Sequence, residues 1–236
     1  MFESFGYIVS TLVKGVPPTM EATAGGIALT IVLSFITGPA LLSRSRAVRV
    51  VSRVYVEGLR GTSEVVQLFW LYFVLPALVG LQLVPLYAGV LVLGLNHGAY
   101  GAEIVRGAVQ SVPRAQYEAA TALGFTPAQR MWRVILPQAV VEMLPPFNNL
   151  FIQLLKSTAL LSFITVPEIA NQGELLRANF GSQLTTIYVI ELVLYLLLAL
   201  AITFVMRALE RIASKRVGRR PPDRARLLGH AAPGSA

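Results

Sequence analysis

His97 and Glu103 are the first residues to weigh for chemistry, since an imidazole beside a carboxylate can move protons. On one helix, however, a spacing of six residues points the two side chains to different sides. Glu103 and Arg106, three apart, make the better local ion pair. An intramembrane enzyme using His97 therefore stays a rival reading. The chain has no cysteine, which excludes disulfides, thiolate metal sites and cysteine catalysis. It also has no G-x-x-x-x-G-K-[ST] phosphate loop, so any ATP is bound on another polypeptide.

The other polar groups of note lie within apolar segments. Lys156 stands 11 residues past Pro145, which on a helix is about 16 Å into a hydrocarbon core about 30 Å thick. A charge at that depth faces a bundle interior or cavity and needs a partner. Two readings stay open: a structural pair with Glu191, or a charge lining a solute path. Asn148, Asn149 and Gln153 share that segment, and Asn96, His97 and Tyr100 share another. Each either lines a translocation path or bonds helix to helix, as polar groups in lipid commonly do.

The elements that position these groups follow from composition. Of 236 residues, 55% are hydrophobic and only 14% charged, where a soluble domain carries about 25% charged. Lipid must cover much of the surface. Five spans are expected, at residues 20–42, 63–81, 85–108, 143–166 and 185–207, with LQLVP (81–85) as a turn. The fold class is an all-α integral membrane protein with about five transmembrane helices. A passive channel is a third reading of such a chain. The opening segment lacks a basic n-region and cleavage site, so no removable signal peptide is expected.

Charge placement gives an orientation. Arg44, Arg46, Arg49, Arg53 and Arg60 follow the first span. Arg106, Arg114, Arg130 and Arg133 follow the third, and a basic cluster follows the fifth. Lys14 and Arg177 fall on the opposite side. The positive-inside rule puts the N-terminus outside and the C-terminus in the cytoplasm. The net charge of +8 is thus an orientation signal, and nucleic acid is not needed to explain it. Three regions result. Residues 1–19 form an external or interfacial segment with an amphipathic helix, 20–210 the transmembrane domain, and 211–236 a basic, disordered cytoplasmic tail.

Between the third and fourth spans lies "YEAATALGFTPAQRMWRVILP" (117–137), which reads as a polar helical hairpin. Pro113 suits a first helical turn, Gly124 a left-handed helix end, and Thr126 to Gln129 a capping box. Met131, Val134 and Ile135 share a face beside Trp132, and Pro137 should stop the second helix. A DNA-reading helix-turn-helix is disfavoured because spans tether both ends. A plain connecting loop would not need two caps.

Glu118, Ala119, Ala120, Gly124, Leu136 and Pro137 stand at the spacing of the EAA loop, and the chain there resembles ABC importer permeases. Val134 replaces the usual isoleucine. "RGTSEVVQLFWLYFVLP" (60–76), "GAYGAEIVRGAVQSVP" (98–113), "LPPFNN" (144–149) and "LLKSTALLSFITVPEI" (154–169) resemble the polar amino-acid branch. The QLFW wording is similar to permeases for ectoine and hydroxyectoine. The resemblance implies no catalysis on this chain and a cytoplasmic hairpin docked on an ATPase. It also implies a second permease subunit, two ATPase subunits carrying ATP and Mg, and an extracytoplasmic solute-binding protein. Asn96, His97, Tyr100, Asn149, Gln153 and Lys156 are the candidate solute-path residues.

Overall fold

The structure is a computed structural model that describes residues 2–80 and 82–216. Among the described residues there are helices and no strands. In order they are α1 (Phe2–Lys14), α2 (Val16–Leu41), α3 (Arg46–Arg60), α4 (Glu64–Phe69), α5 (Leu75–Val79), α6 (Pro85–Ser111), α7 (Arg114–Ala122), α8 (Pro127–Arg130), α9 (Leu136–Ser157), α10 (Ile169–Asn179) and α11 (Leu184–Arg216). Of the third region, 211–236, residues 211–216 continue the last helix, and the rest of the expected disordered tail lies outside the described residues.

Two helices, Phe5–Leu41 and Gly181–Lys215, are long and apolar enough to cross a membrane alone. Two bent pairs reach that standard together, Arg46–Arg60 with Glu64–Val79 at 102° and Pro127–Ile164 with Ile169–Asn179 at 51°. The remaining expected span is α6, whose 27 residues give about 40 Å of helix. It carries Asn96, His97, Tyr100, Glu103 and Arg106 because protein, not lipid, surrounds most of it. Small residues bring α2 against it. A Cβ on Gly38 would lie 2.6 Å from Val105 Cβ, and one on Gly94 would lie 2.5 Å from Leu29 Cδ2. Only hydrogen side chains allow that approach.

Prolines shape two other helices. Pro76 and Pro137 have no N–H to give the carbonyl four residues back, so an ordinary α-turn would leave that group orphaned. Ahead of each, the chain widens into a π-turn, Trp70–Val74 and Met131–Ile135. Leu75 N–H then bonds Trp70 O, and Leu136 N–H bonds Met131 O. The expected stop at Pro137 does not occur. The hairpin's second helix runs unbroken into the fourth span.

The first helix also differs from expectation. Instead of resting free on an interface, α1 buries Ile8 and Leu12 against Leu176 of α10 and Ile187 of α11. Phe5 stays half exposed. Glu168 fixes the same end of the molecule. Fully buried, it caps α10 by accepting Ala170 N–H at 2.8 Å and Asn171 N–H at 2.6 Å, and it accepts Tyr195 O–H at 2.8 Å. Burial pushes its carboxyl pKa up, against the downward pull of those three donors. Ile169 N–H donates to Thr19 Oγ1, and Gly15 has no room for a Cβ beside the Glu168–Ile169 backbone.

Candidate functional site: a capped hairpin and the groove beside α9

The hairpin closes α7 with a left-handed residue. Gly124 has φ +77°, its N–H bonds Thr121 O at 3.0 Å, and Phe125 N–H bonds Ala120 O at 3.1 Å. These are the paired bonds of a glycine helix C-cap. Thr126 then opens α8 with a complete capping box: Gln129 N–H reaches its Oγ1 at 3.3 Å and Thr126 N–H reaches Gln129 Oε1 at 3.0 Å. Pro113 stands at the N-cap of α7, one position ahead of the first turn.

Side chains brace the bend. Arg130 donates to Thr121 Oγ1 at 2.7 Å and lies 5.8 Å from the Tyr117 ring centroid. Tyr117 O–H donates to Val109 O of α6 at 3.0 Å, and burial pushes its phenol pKa up while Arg130 pulls it down. Glu118 and Ala119 are exposed, and Ala120 is buried. Glu118 borders a recess of about 400 Å³ with Tyr117, Thr121, Ala122 and Arg130. Leu136 is half-buried and Pro137 exposed where α9 begins. Ile135 and Ala139 just beside them are in the core, while Trp132 is exposed.

Along α9, Asn149, Gln153 and Lys156 are exposed on one face. Asn149 and Gln153 line a groove of about 440 Å³ with Arg60, Tyr100, Glu103 and Pro146. The Arg60 guanidinium lies 4.9 Å over the Tyr100 ring. Arg106 takes Glu103, with Nε donating to Oε2 at 2.8 Å.

Over residues 30–218 the chain matches the family described as binding-protein-dependent transport system inner membrane component. The chain belongs to that family. A probable amino-acid ABC transporter permease of Sinorhizobium fredii, y4tF, is 46% identical over 212 residues, covering 88% of this chain and 89% of that one. The L-cystine transport system permease TcyB of Bacillus subtilis is 35% identical over 217 residues, covering 92% and 91%. A crystal structure of an amino acid ABC transporter with histidines superposes with a TM-score of 0.81 at 29% identity, covering 89% and 98%. The chain is thus an amino-acid-type ABC importer permease, not an enzyme, and its ATPase is a separate subunit.

Within this permease the six candidate path residues divide. Tyr100, Asn149 and Gln153 meet at the groove, and Lys156 lies one turn beyond Gln153. Asn96 and His97 are buried elsewhere and tie helices together. Asn96 Nδ2 donates to Leu59 O and Gln67 Oε1, both at 3.1 Å. His97 Nδ1 lies 3.0 Å from Leu93 O and 3.4 Å from Glu64 Oε1. Ser157 O–H donates to Glu64 Oε2 at 2.9 Å. His97 does not pair with Glu103.

The Lys156–Glu191 pair does not form. Glu191 turns to Gly173, whose missing side chain makes the space, with Glu168 and Glu174 as its charged neighbours. Sequence reading missed Glu64, Glu168 and Arg60. Glu64 and Glu168 were visible as acids bordering apolar runs. Arg60 was visible as a basic residue four positions before one, but it was counted only as an orientation charge.

Proposed function

We propose that this permease moves a polar amino acid or a related zwitterionic compatible solute across the inner membrane by ATP-driven alternating access. The observation that carries the reading is continuity: one helical run joins the exposed, capped hairpin to the groove face at Asn149 and Gln153. Displacing the hairpin moves α9 with it, and with it the groove wall. Two permease subunits, of this chain or a related one, pair with two cytoplasmic ATPase subunits that bind ATP and Mg. A binding protein delivers solute at the end where α1, α10 and Glu168 are packed. The N-terminus is outside and the C-terminus cytoplasmic. Glu118, Ala119, Ala120, Gly124, Leu136 and Pro137 make the ATPase coupling element, and Tyr100, Asn149, Gln153 and Lys156 border the solute path.

The narrower solute reading, ectoine or hydroxyectoine, rests on the QLFW wording at residues 67–70. Relatives named for amino acids and cystine support the broader class. Uptake of labelled solutes by the reconstituted complex separates the two. Ectoine uptake that requires ATP and the binding protein supports the narrow reading. ATP-dependent uptake of glutamine or cystine without ectoine overturns it and leaves the importer intact. Conduction without ATP would instead favour a channel.

A further inference from the structure

We infer that Arg60 is the carboxylate-selecting residue of this permease, so that the groove favours solutes with a free carboxylate and opposes net cations. The inference rests on the proposed solute path and deepens it. Arg60 ends α3 at the break before α4, and its guanidinium stacks over Tyr100 at 4.9 Å. Tyr100 stands 15 residues into α6, about 22 Å from its start. A cation at that depth requires a partner. None is supplied: among the described residues Arg60 has no ion pair and no hydrogen bond to a protein acceptor.

The nearby acids are already engaged. Glu103 shares the groove but is held by Arg106, through Nε at 2.8 Å. Glu64 accepts Ser157 O–H through Oε2 and does not line the groove. Lys156, further along the α9 face, also lacks an ion-pair partner among the described residues. Asn149 and Gln153 make no side-chain hydrogen bonds to the protein there. The groove therefore presents one unpaired cation, Arg60, and two open amides, and its carboxylate, Glu103, is already paired with Arg106.

A guanidinium over a ring face keeps its charge and its N–H donors, none of which bonds a protein acceptor among the described residues. Two parallel N–H donors match a carboxylate in a bidentate pair. The open amide oxygens of Asn149 and Gln153 can accept from the solute's own N–H groups. A net cation would meet Arg60 with no unpaired carboxylate in the groove to offset it.

The test uses the complete complex in proteoliposomes, with binding protein and ATPase. The probe is whichever of labelled ectoine, L-glutamine or L-cystine the wild-type complex imports. Arg60→Gln is expected to lower uptake about ten- to hundredfold, the range for losing a hydrogen bond to a charged group. Assembly and basal ATP hydrolysis should persist. Arg60→Lys, which keeps the charge but loses the two-pronged fork, should recover only part of the loss. With glutamine as probe, Arg60→Gln should also erase the preference for L-glutamine over L-glutaminamide as competitor. Unchanged uptake and unchanged competition in Arg60→Gln overturn the inference alone. Loss of the second permease subunit or the ATPase from both variants would make Arg60 an interface residue and also overturn it. A wild-type complex that imports only carboxylate-free solutes overturns both this inference and the solute class beneath it.

Discussion

Single residues divide by whether their role is local or distant. Gly124 was legible because a helix that ends before a capping box needs a left-handed residue, and φ is +77°. No neighbour lies within 4 Å of a Cβ there, so the backbone alone opposes substitution. Gly124→Val should cost about 1 kcal/mol or more in the hairpin and leave membrane insertion unchanged; ATPase co-purification with the inserted variant checks this. Gly15 acts at a distance. A Cβ there would stand 2.6 Å from Ile169 N, so Gly15→Ala must push α10 off the start of α2. Its expected cost is about 1–3 kcal/mol, read as a lower melting temperature of the purified complex. Nothing in the residues around Gly15 announces a contact about 150 positions away, which is why sequence reading passed over it. Lys156 shows the same limit. The expected pair with Glu191 does not form, because Glu191 turns to the space left by Gly173, which nothing near Lys156 in the sequence announces. Lys156→Met should reduce uptake severalfold with assembly intact, and normal uptake would make the charge a passenger.

Elements were legible where hydropathy or capping defines them. The expected spans at 20–42, 63–81, 85–108 and 185–207 lie close to α2, α4 with α5, α6 and α11. The helix of the fourth begins well before residue 143, because Pro137, which reads locally as a stop, does not end the hairpin's second helix. The π-turn of Met131–Ile135, closed by Leu136 N–H on Met131 O, lies just ahead of the proline, and the helix runs past it. Such a turn is a cooperative backbone choice and leaves no composition signal. Pro137→Ala restores an N–H and lets the segment relax to an ordinary α-helix, changing the helical phase between hairpin and groove. Expected are normal expression and thermal stability with solute-stimulated ATP hydrolysis reduced at least severalfold. Unchanged stimulation would show that helical phase across residues 131–137 is immaterial. The α1 helix shows a related limit: its packing partners could not be read. Its apolar face was visible, but lipid and the α10–α11 surface are equally good apolar partners on paper.

At the scale of the whole molecule, one helix bundle carries an exposed hairpin on a continuous helical run, Pro127–Ile164, that also borders the groove. Family membership fixes the general task, and the mechanical claim is that the hairpin transmits force between ATPase and solute path. Glu118 is exposed beside the braced bend, where a partner can reach it. ATP hydrolysis by the reconstituted complex, measured with and without solute-loaded binding protein, tests the claim most directly. Wild-type permease should show strong stimulation. Glu118→Lys and Gly124→Val should insert and pair normally, yet lose most of that stimulation or release the ATPase. Wild-type stimulation in both variants, with the ATPase still bound, would contradict the claim and reduce the hairpin to a connector.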